Sequence, residues 1–537
     1  MSTLKAVRGT RDLLPPETAL WNRIEATARA VFARYNFGEI RTPVFEDTAL
    51  FARGVGEETD IVSKEMYSWE DGERFDIDAM EDAWWRADTE YEDRIYHNRS
   101  DRYGINAVRF VSDHAELLMF RGRMDHLDLE HLRQAIAEAK SRPGLFNITW
   151  TKDIRGRLVV ASPLPNRPEE KAGEDIAVQF LHGNFNKSSQ SLTLRPENTA
   201  GVVRAYIENK LGDSGQLQKL YYIGPQFRRE RPQKGRYRQF YQIGAEVIGP
   251  PSAGSESPVR DAEVLEMLAT LLDELGITGW TLHLNSVGSA ADRARYNDAL
   301  RAALVPVVGR MCVDCQRRAV TNPLRVLDCK VPEDQPIIDT LPVIADSLDE
   351  DSRKHFAAVT AALDAAGVPY KRNHRLVRGL DYYTRTTFEF THGGLGAQNA
   401  LLGGGRYDGL SEMLGGPRAP GIGFAMGEDR LVLTLLAQLD QKAATPLADA
   451  YIAPLGDGLN AAALVLAREL RHKGLWIELG EGSFRLKKSF DAADKTARQI
   501  IILGEDELQS GILTVKTFST GIQTKVPRKE LAAFLSN

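Results

Sequence analysis

Residues 222–246, YIGPQFRRERPQKGRYRQFYQIGAE, set a guanidinium, two amides and a carboxylate at two-residue spacing. Side chains alternate between faces along a strand. Tyr222, Gly224, Gln226 and Arg228 therefore share one face of a first arm, and Phe240, Gln242, Gly244 and Glu246 one face of a second. The turn between them carries Arg229, Glu230, Arg231, Pro232, Lys234, Gly235 and Arg236. A planar, permanently charged guanidinium suits a phosphate, while an amide beside a carboxylate suits a polar, basic ligand. The polar residues sit on a single face, which sets this hairpin apart from a merely solvated, charged one.

The elements that must position these groups read in order along the chain. A loop, residues 7–14, leads to Pro15-Pro16-Glu17, which opens a helix. Trp21, Ile24, Ala28, Val31 and Phe32 recur at helical spacing up to Tyr35, Gly38 stops the helix, and a short strand at 39–42 ends at Pro43. Residues 191–194 read as a strand, and Pro196 opens a helix reaching about Leu211. Residues 259–275 form an amphipathic helix and 280–285 a strand. Residues 287–370 are mostly helical, 377–391 form a strand, and Gly403-Gly404-Gly405 makes a glycine turn into a helix. Residues 421–424 are a short strand whose glycines admit close approach, and a helix follows from Gly427. After a linker at 440–447, strand and helix alternate to the end, a small α/β domain.

Composition bounds the reading. A chain of 537 residues predicts about three to four domains. The net charge of −6 gives no global sign of nucleic-acid binding, so RNA contacts must rest on local basic patches. No apolar run approaches the roughly 20 residues of a membrane span, and the first residues lack a signal-peptide apolar region. Three cysteines argue against a disulfide framework and fit a reducing cytoplasm.

Three other stretches make the hairpin specific: LRPENT at 194–199, RGLDYY at 378–383 and GIGFAMGEDR at 421–430. With it they resemble the catalytic core of the histidyl-tRNA synthetases, which are class II aminoacyl-tRNA synthetases. The resemblance implies an α/β fold: an antiparallel sheet flanked by helices (an α+β catalytic core), a C-terminal α/β anticodon-binding domain and two inserted domains. It divides the chain into core at 1–71, 189–286 and 371–440, an unusual α+β insert at 72–188, a mostly helical insertion domain at 287–370, and an anticodon-binding domain at 447–537. The first helix and strand resemble the motif that builds a homodimer interface in that family.

The resemblance also implies roles. Arg228 matches the arginine on the α-phosphate of ATP, Arg378 a second positive charge at the reacting centre, Arg236 a residue near the outer phosphates and Arg430 the arginine lying on adenine. Mg²⁺ would arrive with the ATP, with no metal ligand among the protein side chains. Glu197, Thr199 and Gln242 match residues that hold the α-amino group of histidine. Glu246 and Tyr383 match the pair that binds the imidazole nitrogens, with Tyr382 and Arg378 in the same pocket. Arg231 and Gln233 match positions near the tRNA acceptor end, and Arg485, Lys487 and Lys488 form a patch for the anticodon arm, beside Lys495. The sequence departs from the family at Asn198, where glycine is usual, and at Glu428-Asp429, where Leu-Glu is usual. Asn198 is expected to narrow the amine pocket. The runner-up implied by the same resemblance is a non-catalytic paralogue that regulates histidine biosynthesis. Such proteins lack the C-terminal domain and several of these arginines.

The insert resists reading. It opens acidic, with Trp84, Trp85 and Tyr91 among Asp and Glu, has a helical stripe at 113–140, and contains a hairpin at 146–161 turned at Arg155-Gly156. Asp113, His114, His126 and His131 match no metal-ligand spacing. Cys312-x2-Cys315 with Cys329 is half a zinc signature, one ligand short.

Overall fold

The computed structural model describes residues 4–56, 59, 61–71, 103–105, 148–152, 158–160, 190–232, 235–378, 380, 382–395, 399–439 and 447–536. Outside them lie Gln233 and Lys234 of the hairpin tip, the linker at 440–446, and most of the insert with its helical stripe, tryptophans and histidines. Two compact units result, one of residues 1–44, 50–66 and 195–537, the other of 45–49 and 67–194.

The first unit is built on an eight-stranded sheet. Its order is Gly38–Glu39, Gln218–Phe227, Gln239–Ile248, Gly421–Gly427, Ala400–Arg406, Thr384–His392, Trp280–Ser286 and Tyr370–Arg372. Only the two edge pairings are parallel. The helices Glu17–Arg34, Pro258–Glu274, Glu350–Ala366 and Glu428–Leu439 cover one face. The apolar stripe of the first helix is wholly buried: Trp21, Ile24, Ala28, Val31 and Phe32. Phe32 reaches the sheet at Tyr221, with ring centroids 5.0 Å apart. Tyr221, Ile243, Ala245 and Val247 join that core, so their neighbours Tyr222, Gly244 and Glu246 face the other way. The helix ends at Arg34. Asn36, at φ 62°, makes the left-handed exit expected of Gly38, and the strand beyond it is only Gly38–Glu39.

Several expected elements shift. The helix after Pro196 begins at Thr199, and the strand expected from Val377 begins at Thr384. Gly403, Gly404 and Gly405 are not a turn but lie inside the strand Ala400–Arg406. A side chain there has no room: a Cβ on Gly404 would come 2.1 Å from the Gly423 carbonyl oxygen.

A buried ionic knot fixes the end of that strand. Arg406 is fully buried and donates to Asp261 at 2.6 Å and to the Ser255 carbonyl at 2.7 Å. Asp261 also faces His355 at 2.8 Å and accepts from Thr386. Burial alone would raise the Asp261 pKa, but Arg406 and His355 outweigh it and hold the carboxyl below its usual range.

Glu428 lacks such a partner. It opens the helix Glu428–Leu439, is fully buried, and neither carboxylate oxygen meets a hydrogen-bond partner among the described residues. Burial pushes its pKa well above 4.5. A raised folded-state pKa means that stability is present below the unfolded value and is lost as pH climbs above it. Glu428→Leu, which restores the family's usual residue, should therefore stabilise the fold by about 1–3 kcal/mol at pH 8, with the gain shrinking toward pH 4. Denaturant unfolding of both proteins at the two pH values measures it. An equal gain at both would show that the carboxyl's charge is not the cause.

The second unit holds two three-stranded sheets. In one, Gln190–Leu194 lies between Phe45–Asp47 and Tyr67–Asp71. In the other, Ile148–Lys152 lies between Tyr103–Ile105 and Leu158–Val160. Lys152 pairs with Leu158 across two antiparallel strands of the expected hairpin, whose turn lies outside the described residues. Asp71 pairs with Gln190, so the insert leaves and rejoins a single antiparallel ladder where a short turn would suffice. Replacing residues 72–189 by a short turn is expected to leave a folded protein, because exposed turns tolerate insertion. The readouts are thermal unfolding and, once the reaction is assigned below, its first step. Loss of folding would make the insert part of the core.

The C-terminal domain centres on Ala448–Pro454, parallel to Ile477–Leu479 and Ala497–Leu503, with Ile512–Thr517 and Gln523–Pro527 continuing the sheet antiparallel. It buries its own core, including Ile452, Leu466, Leu470, Ile501 and Val515. No helix among the described residues is long and apolar enough to cross a membrane.

Candidate active site

The sheet face away from the helices carries a cavity of about 220 Å³. The hairpin forms one wall as its alternation requires: Tyr222 pairs with Gly244, Gly224 with Gln242 and Gln226 with Phe240. Nine of the expected residues line the cavity: Glu197, Thr199, Arg228, Arg236, Gln242, Arg378, Tyr382, Tyr383 and Arg430. Arg231 is exposed on the hairpin tip, and Arg485, Lys487 and Lys488 are exposed on the C-terminal domain.

Glu246 sits one layer deeper, with no solvent exposure. One of its oxygens accepts from the Thr199 hydroxyl at 2.7 Å. The other has no hydrogen-bond partner among the described residues, and the buried hydroxyls of Tyr222 and Tyr407 have none either. Burial pushes the Glu246 pKa up to about 8, against the pull of Thr199 and of the nearby Tyr407 hydroxyl. Gly423 makes room for this carboxylate, since a Cβ there would stand 1.6 Å from Oε2. Tyr382 packs between Tyr383 and Tyr407, with centroids at 4.8 and 6.0 Å. Gln242 adds a buried side-chain oxygen without a partner. Unpaired polar atoms at such depth are rare in native folds and mark a place where a ligand completes the network. The unpaired set here is a carboxylate, an amide and phenols, which suits a small basic group.

Glu197 is committed differently. Its two oxygens accept from the backbone N–H groups of Thr199 and Ala200 at 2.8 and 3.0 Å, capping the helix Thr199–Glu208. Burial raises its pKa in spite of these bonds. Asn198 does not narrow the pocket. Its side-chain oxygen accepts from Thr42 at 2.6 Å, and it does not line the cavity.

The other end of the cavity is cationic. Arg228 donates from Nε to the Pro196 carbonyl at 2.8 Å and stands 3.9 Å from Glu230. Arg236 pairs with Glu230 at 2.9 Å, and Arg378 with Glu389 at 2.7 Å. Arg430 donates to the Ala400 carbonyl at 2.5 Å. Burial first, and Arg236 next, pull its pKa below the usual arginine range. Four guanidinium groups around one cavity repel one another, and a polyanion relieves that repulsion. Asp429, on the departure from the family pattern, is paired with Arg11 at 2.9 Å.

Sequence reasoning missed Glu389 and Tyr407. Glu389 lies between Phe388 and Phe390, both buried in the helix-side core, so strict alternation already assigns it to the cavity face. Tyr407 follows the glycines of Ala400–Arg406, and its place was hidden by reading them as a turn.

Comparisons with known proteins agree with this geometry. Residues 169–431 match the family model for histidyl-tRNA synthetase, and residues 449–537 that for the anticodon binding domain. The histidine–tRNA ligase of Koribacter versatilis is 56% identical over 536 residues, covering 99% of this chain and 96% of that one. The histidine–tRNA ligase of Solibacter usitatus is 44% identical over 534 residues, covering 99% of each. The crystal structure of apo S. aureus histidyl-tRNA synthetase superposes with a TM-score of 0.64 at 30% identity, covering 100% of both chains.

Proposed function

The chain belongs to the histidyl-tRNA synthetase family, and on that premise we propose how this cavity performs the family's reaction. The chain is an aminoacyl-tRNA ligase. It joins L-histidine to ATP as histidyl-adenylate, releasing pyrophosphate, and transfers the histidyl group to the 3′ end of histidine tRNA. The non-catalytic reading is not favoured: Arg228, Arg378 and Arg430 all line the cavity and the C-terminal domain is present.

Histidine lies with its imidazole toward Glu246 and Tyr383 and its α-amino group among Thr199, Gln242 and Glu197. Glu246 is fully buried with the Thr199 hydroxyl on one oxygen, so the side chains over it shift as the ring reaches the other. Its carboxylate then faces the α-phosphate of ATP. Attack forms the acyl–phosphate bond and breaks the bond to pyrophosphate. The substrates supply nucleophile and leaving group, so the protein's task is to hold two anions together and take up the negative charge that builds on the α-phosphate oxygens. Arg228 and Arg378 do this, leaving Glu230 and Glu389 as they turn to the nucleotide. Arg236 meets the outer phosphates and Arg430 lies on adenine. Mg²⁺ carried by the nucleotide would offset charge on the leaving pyrophosphate; it was expected without protein ligands, but Glu230 and Glu389 line the cavity and are the carboxylates that would hold it.

The observation that carries this reading is the coexistence of four guanidinium groups around one cavity and, one layer beneath it, a sealed carboxylate with an unused oxygen. ATP–pyrophosphate exchange tests it with each amino acid in turn. Exchange is expected with histidine alone, because a buried carboxylate rejects apolar analogues by about 10⁴–10⁵. Exchange with none in a folded protein would shift the assignment to the non-catalytic paralogue.

We assign residues 1–71, 189–286 and 371–440 to the catalytic core, 287–370 to the insertion domain and 447–537 to anticodon binding. The chain works as a cytoplasmic homodimer in this reading. Arg231 and Gln233 face the acceptor end of the tRNA. The anticodon arm meets Arg485, Lys487 and Lys488 at the start of the helix Leu486–Thr496, where exposed cations and the helix N-terminus attract phosphate together. Arg485→Glu with Lys487→Glu should raise KM for tRNA at least ~10-fold at physiological salt and leave pyrophosphate exchange unchanged. An unaltered KM for tRNA would remove the patch from the interface.

A further inference from the structure

We propose that Cys312, Cys315, Cys329 and Asp334 bind a structural zinc ion in the segment between the helices Ala290–Leu304 and Glu350–Ala366. The cysteine spacing alone is one ligand short of a zinc site. The fold supplies the fourth donor: the three sulfurs and an Asp334 oxygen all lie within 4.8 Å of one another.

The geometry fits the ion. Zinc bonds sulfur at about 2.3 Å and a carboxylate oxygen at about 2.1 Å, so a tetrahedral site spaces two thiolates about 3.8 Å apart and a thiolate and an oxygen about 3.5 Å apart. Cys312 Sγ is 3.9 Å from Cys329 Sγ, and Cys329 Sγ is 3.2 Å from Asp334 Oδ2.

The surroundings fit as well. Cys312 is the N-cap of the helix Val313–Thr321 and Cys315 lies in its first turn, so one element presents two of the sulfurs side by side. The Val331 N–H points at Cys329 Sγ at 3.4 Å and fixes that sulfur's position. Both oxygens of Asp334 accept from the Cys312 N–H, at 3.1 and 3.2 Å. Asp334 is 1% exposed and forms no ion pair with lysine or arginine among the described residues. A divalent cation at the centre of the cluster would give this carboxylate a counter-charge. Cys315 and Cys329 are buried while Cys312 is half-buried, which leaves a way in for the ion.

The fold also gives the ion a task. Between the two long helices the chain has one nine-residue helix, the four-residue helix Gln335–Ile338 and otherwise 3-10 segments of six residues or fewer and loops. The cluster ties three of those pieces together. Gln335 then links it onward: it donates to the Cys329 and Val331 carbonyls at 2.9 Å each and accepts from Arg375 at 2.6 Å. Arg375 stands three residues before Arg378 of the cavity. The ion thus braces the approach to the active site and takes no part in the reaction itself.

Elemental analysis of the full chain, purified under reducing conditions without chelator, tests this and should find close to one zinc per chain. Cys329→Ser should bring it near zero. Because a lost thiol can unfold the segment, the unmutated chain, stripped of metal, is titrated with Co²⁺ in parallel. The thiolate-to-cobalt absorption of a tetrahedral site should rise to an endpoint of one ion per chain and disappear on adding zinc. Asp334→Asn keeps all three thiols and should weaken the ion at least ~10-fold and shift the cobalt spectrum. Absence of both zinc and the cobalt band would overturn the site. So would a Cys312–Cys329 disulfide in the metal-free chain as purified. An Asp334→Asn variant with unchanged affinity and spectrum would overturn the carboxylate's place in it.

Discussion

Glu246→Gln is expected to lower kcat/KM for histidine in ATP–pyrophosphate exchange by about 10²–10³-fold, the loss that follows when one partner of a buried charged hydrogen bond is neutralised. The pH profile gives the sharper test. In the empty protein Glu246 holds its proton up to about pH 8, and free imidazole is neutral above about pH 6.5. Between those values ligand and protein together carry the one proton that the imidazole–carboxylate pair needs. Below about pH 6.5 the imidazolium brings an extra proton that must leave on binding. Above pH 8 a proton must be taken up. Affinity for histidine should therefore be highest between the two values and fall on both sides, and Glu246→Gln should lose the alkaline limb. The variant should not be less stable. A carboxyl with a raised folded pKa costs stability as pH rises above its unfolded value, so the amide should match or exceed the parent's thermal midpoint at pH 8. An alkaline limb that persists in the variant would assign it to another group.

Arg228→Ala should lower kcat for the same exchange by about 10²–10³-fold while KM for histidine stays within a few-fold. Its guanidinium is placed for charge that appears only as the α-phosphate is attacked, and removing one such preorganised donor has that effect. Lysine is a poor substitute. Arg228 uses Nε to hold the Pro196 carbonyl at 2.8 Å and lays its plane 5.3 Å from the centroid of Phe240, which leaves the terminal nitrogens for the nucleotide. A lysine has one compact cation and no second anchor. Arg231→Ala, on the exposed tip, is the matched control and should leave exchange unaltered. If Arg228→Ala raises KM and spares kcat, the arginine binds ground-state ATP and does not serve the transition state.

The hairpin was legible because its polar residues keep a period of two against buried neighbours, and strand register is fixed wherever one face is buried. Its register is the one that alternation demands, from Leu220 opposite Glu246 to Gln226 opposite Phe240. The first helix was legible for the same reason at period 3.6. What the sequence hid was partnership across long separations. Nothing near Glu389 announces Arg378, and nothing near Cys312 announces Asp334, because those pairings exist only once the chain has closed on itself. Glu428 shows the opposite failure. In the sequence it is only a departure from the usual Leu, yet among the described residues the fold buries its carboxyl without a hydrogen-bond partner. Asn198 looked like an intrusion on the amine pocket, but Thr42 draws its side chain aside.

The glycines behind the pocket constrain how its specificity can evolve. A neighbour's side chain fills the space at each: Glu246 at Gly423, Arg378 at Gly403, Tyr222 at Gly244 and, together with the Thr386 carbonyl, Tyr383 at Gly405. A Cβ at any of them meets atoms at 2.8 Å or less. A route to a different amino acid that begins by enlarging one of these glycines is blocked at its first step. One that begins by shrinking the neighbour opens a hole before any new residue can fill it, at about 2–5 kcal/mol for a large buried side chain. At Gly405, Gly244 and Gly423 a backbone carbonyl oxygen also stands at 2.6, 2.7 and 2.8 Å, so even a coupled double substitution leaves the new side chain against the backbone; only at Gly403 are all the nearest atoms those of a side chain, Arg378.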